Sequence, residues 1–197
     1  MTSYRVELSA GDPARVVTVL PGVGYTAEGP VLARPAAALR DAGWTVRTVV
    51  WDGECRDFDE ARAVYGAVLR DGVVAAPGSA HLVLAKSLGT LALPVAVELG
   101  LPGAWLTPLL ASDRAPEVRV AVADLGASGA PALLAGGTAD GLWDGALAAA
   151  SGARVLEVDG ADHSLEVDGE PDRTARVLDD VTAAVVDLAA PLHAGRR

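Results

Sequence analysis

The chain has 197 residues, about half of them apolar, and a formal net charge of −10. That length can bury a substantial core and points to one domain spanning 1–197. The acidic balance argues against a nucleic-acid footprint, since no basic run precedes the Arg196-Arg197 end. The single cysteine, Cys55, excludes an intramolecular disulfide framework and a cysteine-cluster zinc site. Met1-Thr2-Ser3-Tyr4-Arg5 carries no apolar region of a signal peptide. No apolar stretch reaches the ~18 residues of a membrane span. A cytoplasmic protein with no membrane partner is the expectation.

Tyr4 to Leu8 alternates and predicts a half-exposed strand, followed by a turn at Ala10-Gly11-Asp12-Pro13. Arg15 to Leu20 is β-branched and nearly all apolar, which suits a strand covered on both faces. Pro21-Gly22-Val23-Gly24 stops it. A helix follows Gly29-Pro30 and ends at Gly43; Pro35 is awkward inside it, so its regular part is expected to begin there. Thr45 to Trp51 is the next strand. Asp57 or Asp59 caps a helix with Ala61, Val64, Tyr65, Val68 and Leu69 on one face, ending at Gly72.

His81 to Ala85 predicts a strand. The helix after Ser87 contains Pro94, where an interior proline costs ~3 kcal/mol and a kink is expected. Gly103 to Thr107 is a strand, Pro116 to Leu125 a helix, Pro131 to Ala135 a strand, Gly141 to Ala150 a helix and Arg154 to Val158 the last strand. Pro171 opens a final helix with Val177, Leu178, Val181, Ala184, Val185 and Leu188 on one face. Alternating strands and helices imply a mainly parallel sheet of about six to seven strands, with helices on both faces in three layers. The site of such a sheet lies at the carboxyl ends of its strands.

Those ends carry the chemistry. Ala85-Lys86-Ser87-Leu88-Gly89 joins a strand to a helix through a sharp turn with a serine at its apex. Such an elbow needs small residues two before and two after the serine, here Ala85 and Gly89, because strand and helix backbones nearly touch. A nucleophilic serine needs a base, and the base a carboxylate to hold its tautomer. Ser87, Asp140 and His163 stand in that order, each just beyond a predicted strand.

On these segments, with Gly137-Thr138-Ala139-Asp140 and Gly160-Ala161-Asp162-His163, the chain resembles a small α/β-hydrolase. It is similar to the compact dienelactone-hydrolase-like members with little or no lid, although those carry a cysteine where Ser87 stands. The resemblance covers nearly all of the chain from Arg15 to the final helix. It implies an α/β-hydrolase fold, with Ser87 as nucleophile, His163 as base and Asp140 as orienting acid. It implies cleavage of a small ester, thioester or lactone through an acyl-enzyme, with no metal or organic cofactor.

The oxyanion hole is expected from the N–H of Leu88, at the helix start, and of Val23, with Gly24 or Tyr25 as alternatives for the second donor. Asp144 competes with Asp140 for the acid; Asp113 and Asp162 are weaker rivals. His81 sits at a strand start and His193 near the end of the chain, leaving His163 as the base. Lys86 reads as a solvated or pocket-edge residue, Cys55 as a small buried one, and Trp44 and Trp105 as core; Tyr25, Trp51 and Trp143 lie near the expected site loops and read first as packing, with pocket lining as the alternative. Between Thr107 and Pro131 there is room for one helix and its turns, not a large lid. An open site for a small acyl substrate follows, unless a second copy in a homo-oligomer closes it.

Two rival readings belong to other classes. Gly22-Val23-Gly24-Tyr25-Thr26-Ala27 matches the glycine-rich fingerprint of dinucleotide binding, with Asp52 as the ribose acid. That fingerprint needs a helix starting inside the motif, and Gly29-Pro30 places the start too late. The other rival is a hydrolase fold kept as a catalytically silent binding module.

Overall fold

The computed structural model describes residues 2–192; His193 and Arg196-Arg197 lie outside the described residues. Seven strands form one sheet in the order β1-β3-β2-β4-β5-β6-β7. They are β1 Tyr4–Ser9, β2 Asp12–Leu20, β3 Trp44–Trp51, β4 Ala80–Lys86, β5 Gly103–Leu106, β6 Ala132–Gly137 and β7 Arg154–Val158. β1 pairs antiparallel with β3, Tyr4 opposite Trp51; every other pairing is parallel.

The side-chain period of two splits the strands between two cores. Val17, Val19, Leu82, Leu84, Ala104, Leu106, Leu133 and Ala135 face one side. There they meet α1 (Pro30–Asp41) and α7 (Pro171–Ala189) through Val31, Leu32, Leu39, Val177, Val181 and Val185. Leu20, Val83, Ala85, Trp105 and Leu134 face the other side. They are covered by α2 (Phe58–Ala75), a 3-10 segment (Ser87–Ala92), α3 (Leu93–Glu98), α4 (Pro116–Ala123), α5 (Leu125–Ser128) and α6 (Gly145–Ala150). This is the expected three-layer arrangement. No helix among the described residues is long and apolar enough to cross a membrane.

Four expectations are corrected. α1 begins at Pro30, where a proline needs no N–H, and Pro35 lies inside it as a buried residue rather than at its start. α2 runs past Gly72 to Ala75, because Gly72 serves close approach rather than termination. The Arg47 guanidinium lies where a Cβ at position 72 would stand, and Arg47 Nη1 donates to the Val68 carbonyl at 3.3 Å. Pro94 does not kink a continuous helix. The run from Ser87 is 3-10, and α3 starts at Leu93, placing Pro94 in its first turn where its missing N–H costs nothing. The helix expected from Gly141 starts at Gly145, because Asp144 accepts from Leu147 N at 3.0 Å and acts as its N-cap.

Candidate active site

The elbow rests on three pieces of local chemistry. Ser87 is held at φ 50°, in the left-handed region that L residues rarely adopt. Ala85 is fully buried, and at Gly89 any Cβ would press on the backbone of Leu20 at the end of β2. Thr90 Oγ1 donates to the Ser87 carbonyl at 2.6 Å, tying the apex to the turn that follows it.

The strand-end residues converge. Ser87 Oγ and His163 Nε2 are 2.7 Å apart, and His163 Nδ1 and Asp140 Oδ2 are 2.7 Å apart. Asp140 Oδ1 accepts from Leu142 N at 2.9 Å, so both its oxygens are engaged and its carboxylate is aimed. The Asp140 side chain is 2% exposed, His163 33%. The other carboxylates are elsewhere. Asp144 caps α6 and pairs with Arg119 at 2.9 Å; the Leu147 amide, then Arg119, hold its pKa below the usual range. Asp162 turns back on its own loop and accepts from Ser164 N and Glu166 N. Asp113 is exposed.

The loop after β2 lies against Ser87. A Cβ at Gly22 would stand 3.1 Å from Ser87 Cβ and 3.6 Å from its Oγ, so a glycine here keeps the space above the serine open. The Gly22 amide donates to the Tyr25 carbonyl at 3.1 Å and is not free for an incoming oxyanion. Gly24, at φ 60°, makes the turn. Tyr65 Oη donates to the Pro21 carbonyl at 2.7 Å and accepts from Trp51 Nε1 at 3.0 Å, which fixes the base of this loop from α2. Burial pushes the Tyr65 hydroxyl pKa up. Leu88 is at the start of the 3-10 segment, where amides have no partner within the helix.

Tyr25 packs against the core and lines the cleft, as expected, whereas Lys86 is where the sequence reading misses most. Tyr25 Oη accepts from Val31 N at 2.9 Å and so caps α1 from outside. Lys86 is 1% exposed, not a solvated or pocket-edge residue. It continues the Leu82-Leu84 face of β4 under the loops, donates to the His163 carbonyl at 3.0 Å and lies 4.3 Å from the Tyr25 ring centroid. Burial lowers its pKa to about 8, against the opposing carboxylates of Asp140 and Asp162. Trp44 and Trp105 are core, as expected, and Cys55 is buried with its thiol pKa raised by burial.

A cleft of about 720 Å³ opens beside the loop, lined by Gly22, Gly24, Tyr25, Trp51 and Cys55 among others; Gly22 joins it to Ser87. A second cavity of about 570 Å³, under residues 160–171, includes none of Ser87, Asp140 or His163 in its lining. The segment between β5 and β6 holds only α4 and the short α5. The glycine fingerprint does not open a helix, since α1 begins at Pro30, and Asp52 pairs with Arg5 at 2.9 Å. No group of three or more His, Cys, Asp or Glu among the described residues could hold a metal.

No protein-family model matches this chain, and no curated protein sequence does. Solved structures do. Est1E from Butyrivibrio proteoclasticus, with ferulic acid bound, is similar at a TM-score of 0.69 and 14% identity, covering 96% of each chain. An α/β serine hydrolase homologue from Coxiella burnetii is similar at a TM-score of 0.66 and 15% identity, covering 92% of this chain and 91% of that one. A lidless α/β serine hydrolase from Xanthomonas campestris is similar at a TM-score of 0.64 and 16% identity, covering 98% and 91%. The chain has the α/β-hydrolase fold.

Proposed function

We propose that the protein is a serine hydrolase that cleaves a small ester, thioester or lactone through an acyl-enzyme. The reading is carried by the unbroken hydrogen-bonded run Ser87 Oγ, His163 Nε2, His163 Nδ1, Asp140 Oδ2, with both links at 2.7 Å. A serine that is merely a helix cap does not need a histidine on its Oγ and a buried carboxylate behind that histidine. The fold supports the reading, as do the hydrolase names of matched structures.

The chemistry follows from the positions. His163 Nε2 takes the Ser87 proton as Oγ attacks the carbonyl carbon. Asp140 holds Nδ1–H toward itself and stabilises the imidazolium. The oxyanion is met by the amides of Leu88 and Val23, with Gly24 or Tyr25 as alternatives for the second donor; the Gly22 amide is already used by the Tyr25 carbonyl. His163 then protonates the leaving group, and water activated by the same imidazole releases the acid. Every step uses side chains, backbone amides and water. The open segment between β5 and β6 and the nearby cleft favour a compact, loosely enclosed substrate.

The test is turnover of p-nitrophenyl acetate and butyrate. Wild type is expected to hydrolyse them, with Ser87→Ala and His163→Ala each inactive and folded. Wild-type-like rates in either variant contradict the assignment.

A further inference from the structure

Resting on the hydrolase reading, we infer that Lys86 is a positioning residue, a buried strut that locks the histidine loop and the oxyanion loop to the elbow. Its Nζ donates to the backbone carbonyl of His163 at 3.0 Å and faces the Tyr25 ring at 4.3 Å. Lys86 is the residue immediately before the nucleophile. A single side chain therefore ties Ser87's own strand to the backbone of the base and to the loop that faces the reacting carbon.

The burial of this lysine has no packing rationale. Leu82 and Leu84 occupy the same face of β4, and a third apolar residue would continue the core there. A buried ammonium is costly unless its interactions are specific, and Lys86 is 1% exposed. The partners it meets are themselves fixed. The Tyr25 ring is held by Val31 N on its hydroxyl at 2.9 Å, and the Tyr25 carbonyl accepts from Gly22 N at 3.1 Å. The histidine loop closes on itself through Asp162, which accepts from Ser164 N and Glu166 N. Such a loop keeps its shape as a unit, and Lys86 fixes where that unit sits relative to Ser87. The charge-assisted bond and the cation–π contact both need the ammonium form.

The charged and titratable groups around Lys86 come from three loops. Tyr25 follows β2, Asp140 follows β6, and Asp162 and His163 follow β7; the Glu166 carboxylate acts on the Tyr25 hydroxyl. Burial outweighs the two carboxylates and brings the ammonium down to about 8. The strut is thus intact below that pH and released above it.

The experiment compares wild type, Lys86→Met and Lys86→Arg by kcat, KM and pH profile on p-nitrophenyl butyrate, with thermal melts as the fold control. In parallel, the downfield proton resonance of His163 Nδ1–H is followed by NMR, a readout that needs no turnover. Lys86→Met is expected to lose on the order of 10²-fold in kcat with little change in KM. It should lack the alkaline limb near pH 8 expected of wild type and shift or broaden the His163 resonance. Lys86→Arg, which keeps a charge to high pH, should recover part of kcat and move the limb upward. A folded Lys86→Met with wild-type kcat, pH profile and His163 resonance overturns the inference while leaving the hydrolase reading standing. A wild type without turnover whose His163 resonance still depends on Lys86 would keep the strut and overturn the hydrolase reading instead.

Discussion

Gly89→Ala tests the elbow's steric logic. A Cβ built at Gly89 would lie 2.8 Å from the Leu20 carbonyl carbon and 3.0 Å from its Cβ, with the carbonyl oxygen nearer still. Carbon–carbon contacts settle at about 3.5–4.0 Å, so the 3-10 segment and β2 must part by roughly 0.7 Å or more. Neither side yields easily, since β2 is hydrogen-bonded to β3 and β4 on both edges. Overpacking costs about 1–3 kcal/mol, and a clash between backbones belongs at the top of that range. Against it, exchanging a helical glycine for alanine returns about 0.5–1 kcal/mol. The clash wins by ~2 kcal/mol, which lowers the urea midpoint by about 1 M for a slope near 2 kcal/mol/M. The thermal midpoint should fall by about 4–8 °C. Gly53→Ala is the control, because a Cβ there meets nothing within 4 Å. Its stability should stay within about 0.5 kcal/mol of wild type. Equal midpoints for wild type and Gly89→Ala, measured by circular dichroism in urea, would refute the argument.

Other outcomes follow from the same geometry. Asp140→Asn leaves the backbone in place but invites the wrong imidazole tautomer, and kcat on p-nitrophenyl butyrate should fall by about 10³–10⁴-fold. Asp144→Ala removes the α6 cap instead, costing about 1 kcal/mol in chemical denaturation with turnover preserved; a crippled Asp144 variant beside an active Asp140→Asn would reverse the choice of acid. Tyr65→Phe leaves the Pro21 carbonyl and Trp51 Nε1 without their shared partner and should cost about 1–3 kcal/mol, read from urea curves. Lys86→Met removes a buried group whose folded pKa lies below its unfolded value. The folded state therefore carries fewer protons than the unfolded between about 8 and the ordinary lysine value of 10.5. Wild-type stability should rise with pH through that window, and Lys86→Met should flatten the rise.

Much of this molecule is legible in its sequence, for physical reasons that differ by element. Runs such as Val16 to Leu20 and Leu82 to Ala85 announce strands covered on both faces, and the strand ends then mark where polar residues must gather. Ser87, Asp140 and His163 were findable because a topological rule, not local propensity, sets their places. Lys86 was not. The expected strand stops at Ala85, one residue short of Lys86, and the lysine's burial depends on where the Tyr25 and His163 loops fold over it, contacts that span 61 and 77 residues of chain. Gly72 and Pro35 misled for a related reason. Both are weak helix formers whose places are decided by tertiary neighbours, the Arg47 guanidinium in one case and core burial in the other. Pro94 misled because a 3-10 run before it turned an interior position into a first turn.

The central claim is that Ser87 is an activated nucleophile. Intact mass after incubation with a fluorophosphonate tests it most directly, with Ser87→Ala as control. The account predicts one covalent adduct on wild type and none on the variant. An unmodified wild type, or an adduct that survives in Ser87→Ala, would contradict it.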